Sequence, residues 1–257
     1  MLKLEEILSY YPENLKKHNQ FIFKEYLQYL ILKIIFESKY WNKLSFLWGT
    51  NLRIVYNNSR FSEDLDFDNF WLKEEEFIDL SKIVKKELEL LWFQVEVKNV
   101  FKKAFRCNVK IPNILEKLWF SDLFEEKILI QIDTASHDFF YKPKIKILNK
   151  FWLVFPINTT PLDIIASQKI YAIFNRKRSK WRDFYDLVFL LSKTDVNFDY
   201  LKLKLWIWSK KELKNKLLWF CEKLDFEELL KDVENFLFDE IWKNNIIYFK
   251  DIIKDKF

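Results

Sequence analysis

Asp64 and Asp66 stand two residues apart in the run Arg60-Phe-Ser-Glu-Asp-Leu-Asp-Phe67. Leu65 and Phe67 take the alternate positions, so period-two geometry puts both carboxylates on one side of a strand. Just upstream, Phe46-Leu-Trp-Gly-Thr-Asn-Leu-Arg53 leads an apolar strand, Leu44 to Leu47, into a turn at Gly49-Thr50 and then into a helix carrying Leu52 and Arg53. A strand that feeds a helix N-terminus through a tight turn offers free backbone N–H groups and a positive dipole end, which suits an anion. Paired hard-oxygen ligands beside a phosphate cradle suit Mg²⁺ carried by a nucleoside triphosphate. A lone D-x-D is more often an exposed acidic edge, but the phosphate-type turn beside this one favours the chemical reading.

A sheet flanked by helices must hold these residues in place. Residues 1–18 read as a short helix and a turn at Tyr11-Pro12. Apolar residues at helical spacing (Phe23, Tyr26, Leu27, Leu30, Ile34, Ile35) predict an amphipathic helix over about 21–38. A second helix is predicted over 73–91, with Glu74, Glu75 and Glu76 in its first turn, where the dipole favours acids. Residues 93–100 and 104–111 alternate polar and apolar, as paired strands do. A connection around 112–125 leads to a strand over 127–134. There Ile128, Ile130 and Ile132 line one face and Leu129, Gln131 and Asp133 the other, which aims Asp133 toward the first two carboxylates.

Short strands follow at 144–148 and 153–157, and Pro161 opens a helix behind Thr159 and Thr160 as candidate caps. From Leu162 onward the pattern is helical, over 162–177, 182–193, 209–222, 226–238 and 246–253. The predicted fold class is α+β, with a mixed-sheet domain over 1–158 and a helical domain over 159–257.

Bulk properties narrow the function further. At 257 residues, half of them apolar, the chain buries a core without difficulty. Tyr29-Leu-Ile-Leu-Lys-Ile-Ile-Phe36 is its greasiest piece, and Lys33 interrupts it far short of the ~18 residues of a membrane span. The start, Met-Leu-Lys-Leu-Glu-Glu, has no signal-peptide architecture. Cys107 and Cys221 are two distant thiols, which fits a reducing cytoplasm without a disulfide. His18 and His137 are too scattered for a zinc site. The net charge of +5 is mild, but Lys169, Arg176, Lys177, Arg178, Lys180 and Arg182 cluster, enough to hold a triphosphate or a nucleic-acid backbone.

Four blocks in order carry a resemblance. W-G-T-N-L-R, then R-F-S-E-D-L-D-F, then Ile128-Leu-Ile-Gln-Ile-Asp133, then Ser167-Gln-Lys169 with Arg182-Asp183-Phe-Tyr-Asp186, resemble the signature of nucleotidyltransferases related to DNA polymerase β. The flavour is that of the AbiEii/AbiGii abortive-infection toxins. The resemblance implies transfer of a nucleoside monophosphate from an NTP to a nucleic-acid acceptor, the 3′ end of a tRNA or another RNA, with release of pyrophosphate. It implies two Mg²⁺ ions on Asp64, Asp66 and Asp133, and nucleotide contacts from Gly49, Thr50, Arg53 and Ser62. Lys169 would reach the phosphates, Asp183 would match the acid of the second domain, and the helical domain would complete the active-site cleft. A separately encoded antitoxin would neutralise the enzyme.

Some assignments stay open at this level. Arg53 could equally pair with Glu63 or Asp68. Asp183 could orient Lys169, act as a base or cap its helix, and Asp186, Tyr185 and Tyr171 read as packing groups or as supports behind the site residues. His137, four residues after Asp133, could be a proton acceptor, but a loop histidine without a catalytic role is the commoner reading. A small-molecule nucleotidyltransferase and a non-catalytic nucleotide-binding module are the alternatives. The basic cluster favours a polyanionic acceptor over the first, and the third carboxylate argues against the second.

One composition figure is abnormal. The chain has one Gly, against a usual share of about 7%, and eleven Trp. Trp48 stands where the related signature has the first Gly of its pair, and Trp41, Trp92 and Trp181 fall at joints where backbone geometry favours Gly. Eleven Trp plus one Gly would make an ordinary glycine count. The expectation is a gene whose code reads UGA as glycine.

Overall fold

A computed structural model describes residues 2–112, 127–231 and 244–257. The expected connection over 113–125 and the part of the 226–238 helix beyond 231 lie outside the described residues. The chain divides into two compact units, Met1–Thr160 and Pro161–Phe257. Among the described residues no helix is long and apolar enough to cross a membrane.

The first unit is built on a seven-stranded mixed sheet. Its strands are β1 (Leu44–Leu47), β2 (Leu65–Asn69), β3 (Glu96–Phe101), β4 (Phe105–Pro112), β5 (Lys127–Ala135), β6 (Lys144–Lys150) and β7 (Leu153–Thr159), in the order β3-β4-β5-β2-β1-β7-β6. β2 runs antiparallel to β1 and parallel to β5, and β5 runs antiparallel to β4. The helices of this unit are α1 (Leu4–Leu8), α2 (Glu13–Lys16), α3 (Asn19–Glu37), α4 (Trp48–Tyr56) and α5 (Glu74–Leu90). β3 begins at Glu96, three residues later than the alternation suggests.

The predicted amphipathic helix is α3, but it is not amphipathic in the folded chain. It buries Tyr29, Ile31 and Leu32 along with Phe23 and Leu27, and even Glu25 and Gln28 are inside. A buried carboxylate must be paired. Arg53 Nε donates to Glu25 Oε2 at 2.7 Å, while Lys150 Nζ and the Tyr11 hydroxyl donate to Oε1 at 3.0 and 2.7 Å. Burial alone would raise the Glu25 pKa, yet Arg53 and Lys150 hold it below its ordinary value.

The second unit is helical: α6 (Leu162–Asn175), α7 (Trp181–Leu191), α8 (Phe198–Leu205), α9 (Lys210–Glu222), α10 (Phe226–Lys231), α11 (Asn244–Ile247) and α12 (Phe249–Lys256). Pro161 is the N-cap of α6, without a side-chain bond. Thr159 and Thr160 are therefore not caps. Thr160 Oγ1 bonds instead with the hydroxyls of Ser45 (3.0 Å) and Tyr141 (2.7 Å). α8 has no counterpart in the sequence pattern. Its Leu201-Lys-Leu-Lys-Leu205 alternates with period two, but the Asn197 side chain caps it by accepting from Tyr200 N–H, and Tyr200 and Leu201 are buried.

Eight described residues other than glycine have positive φ, and five of them are tryptophan: Trp48, Trp71, Trp92, Trp152 and Trp206. Trp41 and Trp181 do not belong to that set. The first lies in a 3₁₀ turn and the second opens α7.

Candidate active site

β1 passes straight into α4. The turn expected at Gly49-Thr50 is already helix, and the corner is made one residue earlier, by Trp48 at φ 62°. The N-cap, Leu47, is extended and supplies no side-chain cap to the first-turn N–H groups. A Cβ on Gly49 would lie 2.5 Å from Arg60 Nη2 and 2.6 Å from Ser62 Oγ, so a glycine is what lets these two polar groups close on the helix start. Arg60 is buried, at 4% exposure. It opens the second sequence block, but nothing in the local pattern shows that its guanidinium turns back toward α4.

Two of the expected phosphate contacts are committed elsewhere. The buried Thr50 hydroxyl donates to the Asp64 carbonyl, tying α4 to the segment that enters β2. Arg53 pairs with neither Glu63 nor Asp68. Besides Glu25, its Nη1 donates to the carbonyls of Asn58 and Ser59 at 3.1 Å, and its guanidinium lies 4.2 Å from the centre of the Phe61 ring. It is a strut for the loop between α4 and β2. From the other side Gln28 Nε2 donates to the carbonyls of Ser62 and Glu63, both at 2.9 Å. Three side chains thus fix the backbone that presents Asp64.

Two of the three expected carboxylates, Asp66 and Asp133, share one face of the sheet, and Asp64 lies just ahead of β2. Asp66 pairs in register with Asp133 on the neighbouring parallel strand, and Asp64 precedes Asp66 by two residues. One strand further, Asp133 faces Arg106 in the β4–β5 register. Adjacent strands lie about 4.8 Å apart, so Asp66, Asp133 and Arg106 form a row across three strands. Arg106 grips Asp133 through two parallel bonds, Nε to Oδ1 at 2.8 Å and Nη2 to Oδ2 at 2.6 Å. Its pKa is held above the ordinary value chiefly by those bonds, with Asp64 and Asp66 adding attraction. Among the described residues, no three acidic, histidine or cysteine side chains close into a metal cage. A cleft of about 460 Å³ opens beside Asp64, lined among others by Lys24, Glu63, Lys127 and Gln131.

Asp68 continues the carboxylate face of β2 and is buried, accepting the His137 N–H at Oδ1 (3.1 Å). Burial pushes its carboxyl from an ordinary 3.8 up to about 6. The folded chain therefore holds this proton more tightly than the unfolded chain does. The resulting stabilisation is full below about pH 4 and is lost as pH rises through 6. Asp68→Asn keeps the acceptor for His137 and removes the buried charge. Thermal melts should show it more stable than the parent at pH 8, by about 2–3 kcal/mol, and equal near pH 4. A parent more stable at pH 8 would mean the ionised carboxylate is satisfied where it stands.

In the second unit Lys169 is buried at 4% exposure, its Nζ 3.0 Å from Asp183 Oδ1 and 2.8 Å from Asp186 Oδ2. Arg176 Nε lies 2.7 Å from Asp183 Oδ2, an ion contact without hydrogen-bond alignment. Asp183 therefore orients Lys169 instead of capping α7, and Asp186 supports Lys169 as a second charge partner. The basic cluster is partly spent in this way, with Arg178 a further 3.9 Å from Glu228. Lys177 and Arg182 are exposed.

A family model, the AbiEii nucleotidyl transferase toxin of type IV toxin–antitoxin systems, matches residues 31–254. The chain belongs to this family. It is an AbiEii-type nucleotidyltransferase. Among solved structures, it is similar to JHP933 from Helicobacter pylori, with a TM-score of 0.57 and 18% identity over 92% of this chain and 91% of that one. It is also similar to a candidate nucleotidyltransferase from H. pylori, with a TM-score of 0.58 and 19% identity over 92% and 94%. At these identities what is shared is the nucleotidyltransferase fold. No curated protein matches the sequence. The AbiEii match runs from residue 31 across both units and includes all four sequence blocks.

Proposed function

We propose that this AbiEii-type enzyme transfers a nucleoside monophosphate from an NTP to the 3′ end of an RNA, a tRNA by preference, in a Mg²⁺-dependent reaction that a cognate antitoxin restrains. The observation that carries the reading is the row of Asp66, Asp133 and Arg106 on one sheet face, beside the glycine cradle at the start of α4. The donor set fits the metal: Asp64, Asp66 and Asp133 offer only hard carboxylate oxygens, which Mg²⁺ prefers. When bound, Mg²⁺ would neutralise charge on the triphosphate and on the attacking oxygen.

The chain's own groups do the rest. The uncapped N–H groups of α4, Arg60 and Ser62 converge at Gly49, where a phosphate group would find donors and positive charge. Thr50 and Gln28 hold the Asp64 segment, so the carboxylate is presented without a large ordering cost on binding. Lys169 and Asp183 serve as positioning residues within the helical unit.

The test is incubation with each labelled NTP, Mg²⁺ and total RNA. The expected result is a labelled band of tRNA size with one NTP preferred. Label appearing only on small molecules would move the assignment to an antibiotic-type transferase, and no transfer with any acceptor would leave a nucleotide-binding module.

A further inference from the structure

We propose that Arg106 is a resident counter-ion of Asp133 that sets how tightly the acidic face takes a divalent cation. The inference rests on the metal reading above and extends it to a residue outside the four sequence blocks. Three observations support it. Arg106 and Asp133 are paired in register, and Asp133 in turn with Asp66, so the guanidinium sits on the carboxylate face itself. Both Asp133 oxygens accept from it, at 2.8 and 2.6 Å, which leaves a ligand carboxylate engaged by an organic cation. The Arg106 side chain is 47% exposed, so it can leave for solvent without breaking the core.

A divalent ion that uses Asp133 must displace the guanidinium or share the carboxylate with it at close range. Either way like charges oppose, an effect worth kilocalories near a protein surface but reduced by the exposure of Arg106. Arginine suits the post because its planar fork matches both oxygens, which lysine cannot do.

The probe is Mn²⁺ alone, titrated without nucleotide and read by electron paramagnetic resonance of the free ion. Arg106→Gln is expected to bind Mn²⁺ on the order of tenfold more tightly than the parent, and Arg106→Lys to fall between. Circular dichroism checks that both are folded. Unchanged or weaker binding in Arg106→Gln, with the parent still binding and Asp66→Ala losing the ion, overturns the counter-ion role and leaves the metal assignment standing. No Mn²⁺ binding by the parent or by Arg106→Gln overturns both.

A separate observation, the backbone, carries a second inference. The structure assigns glycine to positions 48, 71, 92, 152 and 206 of the natural protein. Nine of the eleven Trp are described, since Trp119 and Trp242 are not, and five of those nine take left-handed φ of 56–69°. L-residues are strained there by Cβ, and glycine is not. Burial does not compensate: Trp92 is 92% exposed, Trp152 84%, Trp71 74% and Trp206 73%. Trp48 makes the corner into α4, its ring edge-on to His137 at 5.5 Å.

A code reading UGA as glycine accounts for these five and for the eleven-to-one composition together. Sequencing the gene should show UGA at all five codons, and UGG at any of them overturns the assignment there. In the protein, each Trp→Gly exchange at these positions should raise Tm by about 2–4 °C, while Trp→Ala, which keeps the Cβ, should not. Equal effects of Gly and Ala would show that the indole matters and the backbone does not.

Discussion

Asp66→Ala or Asp64→Ala is expected to abolish nucleotidyl transfer, by at least about 10³-fold in kcat/KM, with the fold intact. Both residues are half-buried, Asp64 just ahead of β2 and Asp66 on the strand face where Asp133 and the Arg106 guanidinium also sit. On the proposed reading each carboxylate would hold the cation that offsets charge in phosphoryl transfer; losing it would remove several kilocalories of transition-state stabilisation, and each 1.36 kcal/mol is a factor of ten. The fold survives because the tie from Thr50 goes to the Asp64 backbone carbonyl, and Leu65 and Phe67 supply the buried face of the strand. Steady-state nucleotidyl transfer, alongside thermal melts, checks both halves. Turnover within tenfold of the parent in either variant would remove that residue from the proposed metal site.

Lys169→Ala should act on stability first. Its ammonium sits between two carboxylates that are themselves 1% and 0% exposed. Truncation leaves Arg176 to offset a net excess of buried negative charge, and breaking a buried pair in this way costs about 3–5 kcal/mol. For a chain of this size that lowers Tm on the order of 10 °C. A phosphate-contacting lysine on a solvated face would instead lose nucleotide use with its fold unchanged. Lys169→Ala combined with Asp186→Asn should recover part of the loss, because the pair is coupled. A melting temperature within 2 °C of the parent, with KM for NTP raised, would make Lys169 a ligand-binding residue after all.

Local pattern and turn chemistry determine much of this protein. The alternation over β4 and β5, the entry of β1 into α4, the Asp64–Asp66 spacing and the helical character of the chain after Leu162 are all near-neighbour properties, and the structure has them. The family was legible because four short blocks survive in order. The glycine deficit was legible from composition, since a single Gly cannot supply the left-handed corners of a fold this size.

What only the tertiary structure decided involves partners far apart in sequence. Arg106 is 27 residues from Asp133 and meets it through strand register, which no run of residues encodes by itself. Arg53 finds Glu25 because α3 is buried on nearly every side and needs its one inward carboxylate neutralised. α8 is a helix despite its strand-like alternation because Asn197 caps it and packing on Tyr200 and Leu201 outweighs a period of two. Lys169 became an interior charge because α6 and α7 pack with their polar groups facing each other. Desolvation then ties that lysine to carboxylates, where a solvated helix would have left it free to reach a ligand.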